Sequence, residues 1–438
     1  MKPLCVVSCP IDTHSGYGAR SRDFVKALIE AKGNEWDIKI LSQMWGGTPW
    51  GYLKNDPQFA GFRSLIIPNL TKQPDIWIQI TIPNEFQPVG KFNIGVTAGI
   101  ETTVCDAPWI EGLNRMDLNL VSSNHSKQVF KDIVFTKVNK QTNQPEGEIK
   151  LEKPVEVLLE GLNLDVFYKT QEKTKILNDI QESFCFLFTG GWLHGDVGHD
   201  RKNIYNLIET FYKTFKGRGS KPALLLKTQV GSAGILDKEE IYRRIHLIRD
   251  KFDYKEDLPN IYVLHGDFTN EELNLINNHP RVKAFISLTK GEGFGRPLLE
   301  QAITGKPVIA PNWSGHVDFI KPEYNVLLGG ELEDVHKSVV NQWLLKEGKW
   351  FSADLKIASM AMKDMYKNYK KYIVNSRKQT QFLKENFSYD VMKNNLSSYL
   401  DKINITVNVP LQLPKLKIKG KNDTPSLPKL SLPKLQKV

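Results

Sequence analysis

At 438 residues, with 40% hydrophobic and 25% charged side chains, the chain has an ordinary globular composition and enough length for two domains. It holds no run near the ~20 apolar residues that a membrane helix requires, and its first ten residues lack a secretory cleavage pattern. Of the net charge of +10, residues 410–438 carry +6 from seven lysines against Asp423, which leaves +4 on residues 1–409. A polyanion-binding body is therefore not expected. An anionic surface or a protein partner is expected only for the terminal segment. Cys5, Cys9, Cys105 and Cys185 match no zinc spacing and read as reduced thiols, which points to the cytoplasm, with the basic terminal segment as a candidate contact to a membrane surface.

In chain order, residues 3–10 predict a strand and 19–31 a helix, in which Phe24, Ala27 and Leu28 share one face. Strands follow at 37–43, 74–83, 92–101 and 117–123, with helices at 108–116 and 126–133. The polar stretch 138–154 reads as an exposed loop or hairpin. A second series starts at 183–191: helix 201–215, strand 221–229, helix 239–252, strand 260–268, helix 270–278, strand 282–289, helix 295–305 and strand 306–312. Helices are expected again at 336–349, 354–378 and 389–403. Such alternation predicts an α/β protein with two parallel sheets. The expected domains are 1–168, completed by helices within 376–403, and 169–375. Residues 409–438, with LPKL three times, are expected to form an extended tail because frequent prolines exclude helix and central strand.

The most informative segment is Lys290-Gly-Glu-Gly-Phe-Gly-Arg-Pro-Leu-Leu-Glu300, between an apolar strand and an amphipathic helix. Gly291, Gly293 and Gly295 permit close backbone approaches, Pro297 suits a first helical turn, and the helix start offers N–H groups to an anion. Glu292 and Glu300 flank that site. Carboxylates repel phosphate, so their partners are neutral hydroxyls, such as those of a sugar and a ribose. A nucleotide-sugar carries both.

Glu292 and Glu300, seven residues apart around Gly293-Phe294-Gly295, resemble the E-x7-E motif of the retaining family-4 glycosyltransferases (glycosyl transferases group 1) of GT-B fold. Other pieces resemble that family in order. These are Ser15-Gly16-Tyr17-Gly18 after the first strand, Glu101 with Pro108 and Trp109 downstream, Ser122–Lys127, Gly161–Phe167, the pair Arg201-Lys202, and Asn312–Gly315 with Asp318. The resemblance spans roughly residues 4–320. It implies two facing Rossmann-like domains with a cleft between them, and transfer of a sugar from a nucleotide-sugar donor to an acceptor hydroxyl with retention and without a metal or other cofactor. On that reading Glu292, Arg201 and Lys202 are catalytic. Gly16, Gly18, Gly293, Phe294, Gly295 and Glu300 bind the donor, and His14, Tyr17, Glu101 and His125 lie on the acceptor side. The acceptor, whether glycan, lipid, protein or nucleic acid, is left open.

Three departures stand out. Gly190-Gly191-Trp192 stands where the family often has an arginine, with the insertion LHGDVGHD before Arg201. Ser314 replaces a glycine, and the LPKL tail matches no family feature. His194 and His199, flanking Asp196 and Asp200, read as solvated loop residues rather than metal ligands. Trp192 suits either a nucleobase or a packed cleft, and Lys227 is a secondary candidate at a strand end. Competing functions are a GT-B epimerase or phosphorylase, or a non-catalytic nucleotide-sugar or nucleic-acid binding protein on the same fold.

Overall fold

Parallel strands buried on both faces read as continuous apolar runs, and IWIQI, CFLFT and ALLLK do so here. The computed structural model describes residues 2–139, 141–172, 174–231 and 234–403; the expected 409–438 tail lies outside them. The first series comprises β1 (Leu4–Cys9), α1 (Gly16–Lys32), β2 (Asp37–Ser42), α2 (Tyr52–Asn55), β3 (Ile76–Ile80), β4 (Phe92–Thr97), α3 (Ala107–Asn114), β5 (Leu118–Val121), α4 (Asn124–Asp132), the hairpin β6 (Val134–Val138) with β7 (Pro145–Lys150), and β8 (Val155–Val157). The second comprises β9 (Cys185–Thr189), α5 (Ile204–Phe215), β10 (Ala223–Lys227), α6 (Ile235–Arg249), β11 (Ile261–Leu264), α7 (Asn270–Asn278), β12 (Val282–Ile286), α8 (Arg296–Ala302), β13 (Val308–Pro311), β14 (Val326–Leu328), the hairpin β15 (Gly330–Asp334) with β16 (Lys349–Ala353), then α9 (Leu355–Lys367), α10 (Tyr369–Asn386) and α11 (Tyr389–Leu400).

Two six-stranded sheets result, ordered β2-β1-β3-β4-β5-β8 and β11-β10-β9-β12-β13-β14, and every pair within them is parallel. Each repeats the doubly wound order that places a topological switch beside its first strand. Phe24, Ala27 and Leu28 of α1 do face the first sheet, together with Met392, Leu396 and Leu400 of α11. Trp109, Ile110 and Phe130 cover its other side. The second sheet lies between a layer from α5, α6 and α9 and another from α7, α8 and α10. Hydroxyl caps fix two helix starts of the first domain: Ser15 Oγ accepts from Gly18 N at 2.9 Å, and Ser123 Oγ accepts from Ser126 N at 3.2 Å.

Two expectations change. The helix expected at 336–349 is instead the loop of the β15–β16 hairpin. Val339 and Leu344 join a small cluster with Val335 and Trp350 instead of a helix face. The return to the first domain also begins later than residue 376. Ser376 Oγ donates to Gly305 O, Gln379 Nε2 donates to Phe319 O, and Leu383 and Phe387 are buried in the second core, so α10 stays with that domain. The chain crosses at Phe387–Tyr389, where Leu162 N donates to Phe387 O at 2.9 Å and Tyr389 N donates to Leu162 O at 2.8 Å. The two crossing segments thus run side by side, and α11 alone completes the first layer.

Because Leu396 is fully buried, Leu396→Ala is expected to destabilise the first domain by about 2–5 kcal/mol, read as a lowered denaturant midpoint.

Candidate functional site

In a parallel sheet, ligands meet the loops at the carboxyl ends of the strands, beside the switch point. Here the loops of both sheets at those ends are pressed together. A Cβ at Gly291 would overlap the carbonyl oxygen of Glu101, and one at Gly293 that of Ala98, so the loop after β12 can lie against the loop after β4 only with glycine at both places.

The charged side chains converge at this contact. Lys202 Nζ lies 2.6 Å from Glu292 Oε1, and Arg201 Nη1 lies 3.4 Å from Glu292 Oε2. Arg201 also donates to Gly291 O at 2.7 Å and reaches Glu101 across the domain boundary at 3.5 Å. Both cations follow the β9 loop on a tight turn whose last residue, Asn203, has φ +56 and opens α5. Burial works to raise the Glu292 carboxyl, but Lys202 and Arg201 outweigh it and hold it down at about 2. Burial lowers the Lys202 ammonium, with Glu292 opposing. Arg201 is lifted above its usual value because Glu101 and Glu292 overcome its desolvation.

Glu292 is also held through its backbone. Its N–H donates to Ser314 Oγ at 3.0 Å, and its carbonyl accepts from Gly315 N at 2.9 Å. Ser314 has φ +74, a region that favours glycine, so the sequence departure at 314 places a strained residue that supplies a hydroxyl to the glycine loop.

Glu300 sits in a second cluster. Arg296 Nε donates to Glu300 Oε1 at 2.9 Å, while Arg296 Nη1 lies 2.6 Å from Asp23 Oδ2 of α1 and 3.5 Å from Glu160. Burial raises the Glu300 carboxyl, with Arg296 opposing. Desolvation lowers Arg296, but Asp23, Glu300 and Glu160 outweigh it and raise it overall. Lys227, lowered by burial, feels Asp267 and Glu300 as opposing charges. The ring of Phe294 packs 4.8 Å from Phe319 in the second core, so Phe294 offers the loop its backbone, while Gly295 makes the turn into α8 at φ +96.

On the first domain, Gly16 is open to the surroundings, whereas a Cβ at Gly18 would overlap the Thr13 carbonyl. Tyr17 Oη lies 2.9 Å from Thr97 Oγ1 and accepts from Ala98 N at 3.1 Å; its ring stacks on Trp45 at 4.1 Å. Tyr17, Trp45, Glu101 and Arg201 line one cavity of about 480 Å³. His14 lies across the glycine turn, edge-on to Tyr52 at 5.1 Å, in a cavity of about 370 Å³ that includes Asp267 and Phe268. His125 joins neither. It packs edge-on to Trp313 at 4.7 Å and lines a separate depression with Thr103 and Gln128. Burial pushes its imidazole down from 6.5 to about 4.

Trp192 fills the second core beneath Arg244 rather than reaching the cleft. His199 stacks on His336 at 3.8 Å, and among the described residues no cluster of three or more His, Cys, Asp or Glu side chains is placed to hold a metal ion. Sequence reasoning missed Asp23, Glu160 and Arg296, which lie far apart in the chain. It also missed Asn124, whose N–H and side-chain amide donate to Asp318 across the boundary at 2.8 and 3.1 Å. Arg296 inside the EGFGRPLLE segment was the available signal.

No family model and no curated protein matches the sequence. Solved structures do match over nearly the whole chain. Sucrose-phosphate synthase from Thermosynechococcus elongatus gives a TM-score of 0.57 at 12% identity, covering 92% of this chain and 98% of that one. Anabaena HepE in complex with UDP and glucose gives 0.57 at 10% identity, covering 92% and 100%. A glycosyltransferase from Rickettsia africae gives 0.59 at 14% identity, covering 91% and 98%. The chain has the GT-B fold. Identity this low establishes the architecture, with its two Rossmann-like domains, and leaves the chemistry to be argued from the site.

The depressed His125 value has a consequence for stability. A histidine whose folded pKa lies below its unfolded one contributes stability that is complete above pH 6.5 and is lost as the pH falls toward about 4. Thermal midpoints measured from pH 7 to pH 4 should therefore fall less steeply in His125→Phe than in the wild type.

Proposed function

We propose that the protein is a retaining glycosyltransferase, similar to family 4, that moves a sugar from a nucleotide-sugar to an acceptor hydroxyl without a metal ion. The observation that carries this reading is the convergence of Lys202 and Arg201 on Glu292 where the two sheets present their carboxyl ends, in a chain of GT-B fold. Two half-buried cations beside the β12 glycine loop suit a departing diphosphate, whose charge grows in the transition state. They would do there what a divalent ion does in other phosphate-leaving reactions. Glu292, ionised at neutral pH, accepts hydrogen bonds from sugar hydroxyls, and Glu300 accepts them from the ribose. The nucleoside would lie in the cavity lined by Asp267 and Phe268, next to Glu300 and Lys227.

In the proposed step the bond between the anomeric carbon and the phosphate oxygen breaks, and the acceptor oxygen bonds the same face of that carbon. The acceptor proton passes to the departing phosphate oxygen, so no side-chain nucleophile is required. The interdomain contacts of Asn124 with Asp318 and of Arg201 with Glu101 hold the cleft closed, which excludes water from the reacting centre.

A panel of UDP-, GDP- and ADP-sugars tests the reading, with UDP-glucose first because HepE, on the same fold, was solved with UDP and glucose. Released nucleotide, measured by mass spectrometry, should come from one donor and should be unchanged by EDTA; a dependence on added metal would contradict the metal-free assignment. Glu292→Gln should lower the transfer rate on the order of 10²-fold, and full activity in that variant would remove Glu292 from the chemistry. Glu300→Ala should weaken nucleotide binding by roughly tenfold or more in calorimetry, as loss of a buried hydrogen-bonded carboxylate predicts.

A further inference from the structure

A cavity beside the Arg201–Glu292 cluster, about 480 Å³ in volume, has aromatic walls and acidic edges. Tyr17, Trp45, Trp109 and Trp343 line it together with Glu85 and Glu101. Arg201 is one of its lining residues and pairs with Glu292, so the cavity adjoins the reacting centre. Trp45 uses one face against Tyr17 and is half-buried, while Trp343 is 37% exposed on the β15–β16 loop. Neighbouring Met44 is 71% exposed. Large apolar side chains left open around one concavity mark a binding surface. The loop carrying Trp343 comes from the second domain and the remaining rings from the first, so the pocket is complete only with the domains together.

We propose that this pocket binds the acceptor, and that the acceptor is the neutral end of a saccharide. The proposal rests on the transferase reading above and adds the substrate class. Aromatic faces pack against the C–H faces of a sugar ring, as they do against other apolar surfaces, and Glu85 and Glu101 offer carboxylate acceptors to its hydroxyls. The charges exclude the other classes. On the transferase reading Arg201, the one cation among the described lining residues, is taken by the donor diphosphate, so a phosphorylated lipid or a nucleic acid would bring its negative charge against Glu85 and Glu101 without a cation of its own. An alkyl chain would strip water from those carboxylates and offer them no hydrogen-bond donor in return, which is costly.

The test uses the full chain at millimolar concentrations of neutral oligosaccharides (maltose, lactose, mannobiose and their homologues), their 6-phosphates, a short polyprenyl phosphate, a Ser/Thr peptide and a DNA oligonucleotide. Binding is read by saturation-transfer NMR, and transfer by mass spectrometry with the donor that releases nucleotide. A neutral saccharide should bind and, in the presence of donor, accept sugar. Its 6-phosphate should bind about tenfold more weakly or less, and Trp45→Ala, Trp343→Ala and Glu85→Gln should each raise the acceptor KM by about tenfold. Trp343 and Glu85 are exposed and Trp45 is half-buried, and unchanged thermal midpoints exclude misfolding as the cause. Donor turnover without binding of any neutral saccharide, equal binding of the 6-phosphates, or an unaltered KM in all three variants overturns the assignment and leaves the transferase reading standing. Saccharide binding that is weakened by the substitutions, in a protein that turns over no donor, upholds the pocket and removes the transferase reading alone.

Discussion

A carboxylate cannot stay ionised between two packed domains unless cations are brought to it, and the junction of this protein is organised by that requirement. Glu292 receives Lys202 and Arg201 from the β9 loop, and Arg201 extends the contact to Glu101 on the other sheet. On the far side of the glycine loop, Arg296 pairs with Glu300, Glu160 and Asp23, although at Glu300 burial outweighs it. Removing Arg296 would take the ion-pair partner from the buried Glu300. The relative position of the domains is therefore set by charge pairing as much as by shape.

The glycine loop gives this charge arrangement its reach. Gly291 and Gly293 let the backbone touch the carbonyls of Glu101 and Ala98, which places Glu292 on the boundary rather than inside one domain. Ser314 carries part of the cost. It accepts a left-handed backbone at φ +74 and in that conformation meets the Glu292 N–H. A glycine there would relax the backbone and lose the hydrogen bond, so the departure from the family pattern has a local physical reason.

Much of the architecture was legible because buried parallel strands leave an unmistakable apolar signature, and α1, with Phe24, Ala27 and Leu28 on one face, left an equally clear helical one. The residues meeting at Glu292 were legible because they sit in one short glycine-rich segment and one adjacent basic pair. The misses share a cause. Val339 with Trp343, and Val340 with Leu344, lie four residues apart as in a helix, yet Val339 and Leu344 pack against Trp350 in a hairpin loop, since periodicity reports burial without naming what covers the face. In α10, Leu383 is as apolar as Leu396 of α11, and nothing local distinguishes the cores they enter. Asp23, Glu160 and Arg296 meet only after both domains form, and no spacing announces such a meeting.

The late crossing at Phe387–Tyr389 has a consequence for how the chain is made. Met392, Leu396 and Leu400 belong to the first layer, although the whole second domain is encoded between them and the strands they cover. On the ribosome, the second domain can close around its own helices while the first still waits for its last one, with the apolar side facing α11 open. The order of maturation then reverses the order of synthesis: the half translated first is finished last. The nascent first sheet is the segment that needs shielding during that interval.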